Sequence, residues 1–219
     1  MGLLIFNGVK NLNKAFIISL VVSALPVFAF YFFQQDYTVK HLLGLMPGNL
    51  SHLHGILIMP FLHSDSMHLW GNTFQMFFGI LLLFLHFKNL ATGILLLQWI
   101  GAGLLLFVLG ERGTIHIGSS GVVYGLFGFI ILSGFMAGNR RLRLLSLMML
   151  MYYGGMAWGL FPWQEKVSWE GHVSGLLTGL ATALFLRNHY RRFTRDKKPD
   201  WINDSGSRED PYARFNKGI

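Results

Sequence analysis

Long apolar stretches that alternate with short polar segments form the dominant pattern of this chain. A transmembrane helix needs about 20 predominantly apolar residues, which is close to the length of these stretches. The stretches cover residues 15–33, 67–87, 90–109, 119–137, 142–161 and 171–186. The pattern predicts an all-α polytopic membrane protein with six transmembrane helices.

The placement of lysine and arginine predicts how these helices are oriented. Six spans put both termini on one side of the membrane, and basic residues are enriched on the cytoplasmic side. In this arrangement 15 of the 18 lysines and arginines fall on one side. Only Lys40, Arg112 and Lys166 fall on the other side. We therefore expect a multi-pass protein of the plasma (inner) membrane with both termini in the cytoplasm.

Composition narrows the possible functions. Charged residues make up 13% of the chain, whereas soluble domains contain about 25%. The net charge of +8 comes mainly from the predicted cytoplasmic side, so it indicates topology and not a nucleic-acid partner. The sequence contains no cysteine, which excludes disulfides, zinc–thiolate sites and a cysteine nucleophile.

The first apolar stretch allows two interpretations. It follows two lysines and contains Val22-Ser23-Ala24, a weak candidate for a signal-peptide cleavage site. However, the stretch is longer than a usual signal-peptide core, and its removal would spoil the alternation of charge. We therefore expect an uncleaved helix.

The chain divides into a membrane domain at residues 1–186 and a polar tail at residues 187–219. The tail has mixed charge and little hydrophobicity, so we expect it to be flexible and cytoplasmic. Residues 34–66 form the predicted first outer loop. Its apolar segment at residues 55–62 is too short to cross the membrane, and we expect it to lie in the interface.

Polar residues from three different spans fall at one depth in this topology. Ser120 opens the fourth span just below the outer surface, and His172 lies near the outer start of the sixth span. His68 and Asn72 lie near the outer end of the second span. Polar and ionisable residues inside a membrane are costly and tend to be functional. Their shared depth predicts a site near the outer face.

The chemistry of these side chains predicts a Ser–His dyad. Ser120 would attack a carbonyl carbon, and His172 would take the hydroxyl proton as general base. The predicted spans contain no Asp or Glu that could orient His172. Tyr124 lies one turn after Ser120 and could pack against the imidazole. The side chains of His68 and Asn72, with the backbone N–H of Ser120, would form the oxyanion site.

Glycines on the fourth and sixth spans would let these two helices approach closely. Small residues four positions apart form such a contact face on each helix. The glycines concerned are Gly121 and Gly125 on the fourth span and Gly171, Gly175 and Gly179 on the sixth. Close approach is what allows the short Ser120 side chain to reach His172.

Three sequence motifs resemble those of the rhomboid family of intramembrane serine proteases, and they occur in the family's order along the chain. The motifs are Gly118-x-Ser120-Gly121 with Tyr124, His68-x-x-x-Asn72, and Gly171-His172 with Gly175 and Gly179. The similarity covers about residues 61–186 and is to bacterial members with a basic six-helix core.

The resemblance implies a role for each of these residues. Ser120 and His172 would form the catalytic dyad, and His68 and Asn72 would line the oxyanion site. His63 would match a histidine near the mouth of the cavity. Many relatives carry a Trp-Arg pair in the first outer loop, and residues 34–66 contain none.

We therefore predict a serine endopeptidase that cleaves transmembrane proteins near the outer membrane face, with no cofactor. A metalloprotease would need His-Glu-x-x-His, which the sequence lacks. One alternative is a catalytically inactive rhomboid-like protein that binds membrane helices. Another is a protein that binds or transports a divalent metal through outer histidines. Those histidines are His41, His52, His54, His63, His68, His116 and His172.

Overall fold

The computed structural model describes residues 2–33, 36–163 and 168–194. Within these residues the chain is helical, apart from turns and one isolated bridge. Its α-helices are α1 (Gly2–Phe32), α2 (Tyr37–Leu43), α3 (Gly55–Ile58), α4 (Ser66–Phe87), α5 (Ala91–Leu109), α6 (Ser120–Met136), α7 (Arg140–Tyr153), α8 (Trp169–Phe185) and α9 (Arg187–Thr194). Short 3₁₀ segments lie at Leu50–His52, Met59–Phe61, Lys88–Leu90 and Gly154–Leu160. Lys166 and residues 195–219 of the predicted tail lie outside the described residues.

The apolar helices confirm an all-α polytopic membrane protein. Among the described residues, three stretches are long and apolar enough to cross a bilayer: Leu12–Phe32, Ser66–Phe87 and Ala91–Leu109. Helices α6 and α8 have 17 residues each. A helix of that length spans about 26 Å, slightly less than the hydrocarbon core. The total of six spans therefore stays a prediction.

Helix α6 lies at the centre of the membrane domain and packs against α4, α5, α7 and α8. Its residues from Gly121 to Ile130 are all buried. Helices α6 and α8 approach each other closely, and a side chain on Gly175 would overlap the carbonyl oxygen of Gly121. One turn further in, a side chain on Gly179 would overlap the carbonyl oxygen of Gly125 in the same way.

The loop between α1 and α4, described from residue 36, folds onto the C-terminal end of α5. Leu45, Ile56 and Met59 form a buried apolar cluster with Leu106 of α5. The backbone of Leu45 also pairs with His116 in the loop between α5 and α6. These contacts join the loop before α4 to the loop before α6, beside the start of α6.

The first part of the predicted tail, Arg187–Thr194, forms α9. The flexibility of the tail stays a prediction. Tyr190 is fully buried. Its ring meets Phe87 and Phe129 edge to face, at centroid distances of 5.8 and 6.1 Å. One aromatic side chain therefore docks α9 onto the ends of α4 and α6, although the segment as a whole is strongly polar.

Candidate active site

Ser120 and His172 lie within hydrogen-bond distance although they are far apart in sequence. Ser120 is the first residue of α6, and His172 lies in the first turn of α8. The distance between Ser120 Oγ and His172 Nε2 is 3.0 Å. The glycine contacts between α6 and α8 produce this approach, since larger residues there would hold the helices apart.

The protonation of His172 follows from its second nitrogen. His172 Nδ1 lies 2.7 Å from the carbonyl oxygen of Gly159, which can only accept a hydrogen bond. Nδ1 therefore carries the proton, and in the neutral ring Nε2 presents a lone pair to the Ser120 hydroxyl. This is the tautomer that a general base needs.

Tyr124 forms the floor beneath the imidazole. Its ring stacks on that of His172 with a centroid distance of 4.2 Å and an interplanar angle of 13°. The Tyr124 hydroxyl donates to the carbonyl oxygen of Met156 at 2.6 Å. Met156 and Gly159 both belong to the 3₁₀ segment Gly154–Leu160, which we call the strap.

A series of hydrogen bonds connects the start of α8 to the loop before α6. Gly171 N–H donates to Ser168 Oγ, the N-cap of α8, at 3.2 Å. Ser168 Oγ in turn lies 2.6 Å from Nδ1 of His116. Burial lowers the pKa of His116, and nearby Glu170 and Glu111 partly oppose this. A neutral His116 can accept from Ser168, so the loop before α6 helps to position the turn that carries His172.

Gly118 places His68 and Asn72 against the backbone that leads into Ser120. Its φ of 107° lies in the region that favours glycine. A Cβ at Gly118 would lie 2.8 Å from Cε1 of His68 and 3.7 Å from Nδ2 of Asn72. The region before Ser120 is therefore open only because residue 118 has no side chain.

The hydrogen bonds of His68 limit its predicted role as an oxyanion donor. Ser64 Oγ donates to the carboxylate of Asp65 at 2.8 Å, so it accepts from His68 Nδ1 at 3.1 Å. Neutral His68 therefore has a lone pair on Nε2, the nitrogen nearer Gly118. It would donate towards the oxyanion only as an imidazolium, whereas the Asn72 amide donates at any pH.

His63, predicted to lie near the mouth of the cavity, is fully buried and contacts Asn72. Asn72 Nδ2 donates to His63 Nε2 at 3.3 Å. Burial, together with the nearby His68 ring, lowers the pKa of His63 to about 3. His63 is therefore neutral at physiological pH and leaves the second amide hydrogen of Asn72 for another acceptor.

The histidines of the metal-binding alternative do not form a metal centre in the part of the chain that the structure describes. The rings of His41 and His52 lie 6.1 Å apart, and those of His52 and His54 lie 5.7 Å apart. No group of three or more His, Asp or Glu residues in the described ranges is arranged to hold a metal ion. The metal-binding alternative therefore has no geometric support here.

Sequence reasoning missed the two strap carbonyls. Backbone acceptors have no residue type, so no motif identifies them. The closely spaced Gly154, Gly155 and Gly159 were the available signal, because glycine allows close approach of a backbone to another group.

Comparison with known proteins agrees with this architecture. The family model described as "Rhomboid domain" matches residues 50–189. Uncharacterized proteins of Mycobacterium tuberculosis and Mycobacterium bovis are each 31% identical over 154 residues, which cover 65% of this chain and 63% of theirs. A Mycobacterium leprae protein is 30% identical over 142 residues, which cover 61% of this chain and 56% of its own.

The alignments thus span less than two thirds of the length of these relatives. The family model, in contrast, covers more than half of this chain and includes every residue of the site described above. The chain belongs to the rhomboid family of intramembrane proteases.

Proposed function

We propose that this chain is an intramembrane serine endopeptidase with Ser120 as nucleophile and His172 as general base. The observation that carries the proposal is the 3.0 Å contact between Ser120 Oγ and the unprotonated Nε2 of His172. A serine hydroxyl is a weak nucleophile without a neighbouring base. This contact supplies the base in the required tautomer.

The reaction begins with attack of Ser120 Oγ on the carbonyl carbon of the scissile peptide bond. His172 Nε2 takes the hydroxyl proton as the C–O bond forms. His172 then returns this proton to the amide nitrogen, and the C–N bond breaks to leave an ester on Ser120. In the second half, His172 takes a proton from water as the water oxygen bonds to the ester carbon. His172 then returns this proton to Ser120 Oγ as the bond between Oγ and the acyl carbon breaks and the carboxylic acid product leaves.

The tetrahedral intermediates carry an oxyanion that needs donors. Ser120 is the first helical residue of α6, and helix geometry leaves its backbone N–H without an intrahelical partner. The Asn72 amide, oriented by His63, supplies a second donor. His68 adds a third when it is doubly protonated. Donors of this kind contribute about 10²–10³-fold each to turnover in hydrolases.

The substrates that fit this site are transmembrane proteins cut near the outer face. We propose six spans in a bacterial inner membrane with both termini in the cytoplasm. In that topology Ser120 and His172 both lie near the outer ends of their helices. A helical peptide bond has its carbonyl engaged, so the substrate must unwind locally before attack. Small or helix-breaking residues near the cut would lower that cost.

Active-site labelling tests the proposal. Purified wild-type protein should react covalently with a fluorophosphonate probe, and Ser120→Ala and His172→Ala should not. Circular dichroism and thermal melting establish that each variant is folded. Folded wild-type protein that stays unlabelled would contradict the proposal and favour the catalytically inactive, helix-binding alternative.

A further inference from the structure

The strap contacts the catalytic histidine and its floor through two backbone carbonyls. His172 Nδ1–H donates to the carbonyl of Gly159 at 2.7 Å. Tyr124 Oη–H donates to the carbonyl of Met156 at 2.6 Å. Tyr124 and His172 are themselves stacked, so the two hydrogen bonds attach one short segment to one rigid pair of rings.

We infer that the carbonyl of Gly159 is the positioning acceptor of the dyad, so that the strap controls the reactivity of Ser120. The inference rests on the proposed function. In a Ser–His–Asp triad a carboxylate fixes the histidine tautomer and stabilises the imidazolium that forms. None of the described contacts of His172 is to a carboxylate, and the Gly159 carbonyl occupies the corresponding place on Nδ1.

The two hydrogen bonds act together with limited packing, in which Met156 is the partly buried strap residue that contacts the main apolar cluster. No residue of the strap is buried. Its inner side borders a cavity of about 150 Å³ that Tyr124, Met156 and Leu160 help to line. Because tight packing resists displacement and a cavity does not, the strap has room to shift. A shift at the end of α7 would therefore withdraw both acceptors.

A single added methyl group, in Gly159→Ala, would displace the backbone at Gly159. A second glycine of the strap, Gly155, offers a matched control substitution. A Cβ at Gly159 would overlap the Tyr124 hydroxyl and lie 3.0 Å from Nδ1 of His172. A Cβ at Gly155 would meet nothing within 4 Å. Neither glycine has a positive φ, so alanine is compatible with the backbone at both positions.

The experiment compares Gly159→Ala with Gly155→Ala in full-length detergent-purified protein. Fluorophosphonate labelling of Gly159→Ala should be about 10- to 100-fold slower than that of wild type, which corresponds to the loss of one hydrogen bond to a charged group. Gly155→Ala should label at the wild-type rate. ¹⁵N spectra of histidine-labelled protein, assigned with His172→Gln, should show the Nδ1–H tautomer in wild type and its loss in Gly159→Ala.

The outcomes separate this inference from the proposed function. Unlabelled wild type would contradict the proposed function itself. Labelled wild type with equal rates and unchanged tautomer in Gly159→Ala would overturn only the role of the strap. If Gly159→Ala does not fold, Tyr124→Phe decides, because it removes one strap hydrogen bond without adding volume. An unchanged labelling rate in that variant would overturn the control of Ser120 by the strap, and a lost Nδ1–H tautomer would support it.

Discussion

Replacing Gly175 by alanine should separate the two helices that carry the dyad. A Cβ at Gly175 would overlap the carbonyl oxygen of Gly121 and lie 2.8 Å from its carbonyl carbon. Carbon atoms in contact normally lie about 3.5–4.0 Å apart. The opposing atoms belong to backbone and cannot rotate away. The carbon–carbon contact alone requires the helices to move apart by roughly 0.7–1.2 Å at this level, and the overlap with the oxygen requires at least as much.

The contact between Ser120 Oγ and His172 Nε2 would lengthen with this movement. It is 3.0 Å in the wild type. An added displacement of roughly 0.7 Å takes it past the distance at which a side-chain hydrogen bond is counted. General-base catalysis contributes about 10²–10⁴-fold, and a misplacement of about 1 Å costs around 10²-fold. We expect labelling and kcat to fall by about 10²-fold.

Two other glycines provide a graded comparison. A Cβ at Gly121 would lie 3.2 Å from the carbonyl oxygen of Gly171, which asks for a shift of only a few tenths of an ångström. The labelling rate of Gly121→Ala should therefore fall by a factor smaller than about ten relative to wild type. A Cβ at Gly93 on α5 would meet nothing within 4 Å, so Gly93→Ala should behave as wild type.

The assay is the initial rate of fluorophosphonate labelling, measured at a temperature well below the melting midpoint of every variant. The expected order of rates is wild type and Gly93→Ala first, then Gly121→Ala, then Gly175→Ala. Equal rates for folded Gly175→Ala and Gly93→Ala would refute the reasoning, because helix separation would then not control the distance between nucleophile and base.

Three further predictions concern neighbouring features. Asn72→Ala should lower kcat about 10²–10³-fold with little change in KM, and steady-state cleavage of a transmembrane substrate that shows wild-type kcat would remove Asn72 from the oxyanion site. Because the pKa of His63 is lowered to about 3, the unfolded chain takes up a proton below pH 6.5 that the folded chain excludes. The melting temperature should therefore fall more steeply from pH 7 to pH 5 in wild type than in His63→Gln, and equal slopes would contradict this. Since the chain has no cysteine, Glu111→Cys should react with an impermeant maleimide added to intact cells and Arg141→Cys should not, whereas the reverse pattern would invert the topology.

The candidate site residues could be picked out from the sequence because they carry distinctive chemistry in apolar surroundings. A serine, a histidine and an asparagine in otherwise apolar helices have few structural reasons to be there. Charge asymmetry then predicted a common depth for these residues. The structure places Ser120 Oγ 3.0 Å from His172 Nε2. The hydrogen bond from Asn72 to His63 was not predicted, since it depends on how the loop before α4 folds back.

Two boundaries were missed for physical reasons. The fifth apolar stretch was predicted to run to residue 161, but α7 ends at Tyr153 and continues as the 3₁₀ strap. Gly154 and Gly155 are poor helix formers, and hydropathy does not record this. In the tail, average polarity concealed Tyr190, although one buried aromatic side chain was enough to dock α9.

Ser120 and His172 are the two side chains of the dyad, but the acceptor for Nδ1 of His172 is a backbone carbonyl and so is not part of that pair. The ordered hydrogen bonds run from Ser120 through His172 to the Gly159 carbonyl, which is the order found in a triad with a carboxylate at its end. If the strap positions His172 as inferred, a substitution in the strap can abolish catalysis while both dyad residues remain. The presence of Ser120 and His172 in a rhomboid sequence is then necessary for proteolysis but not sufficient. In this chain, activity would then depend on the backbone conformation of the strap as well as on the motifs.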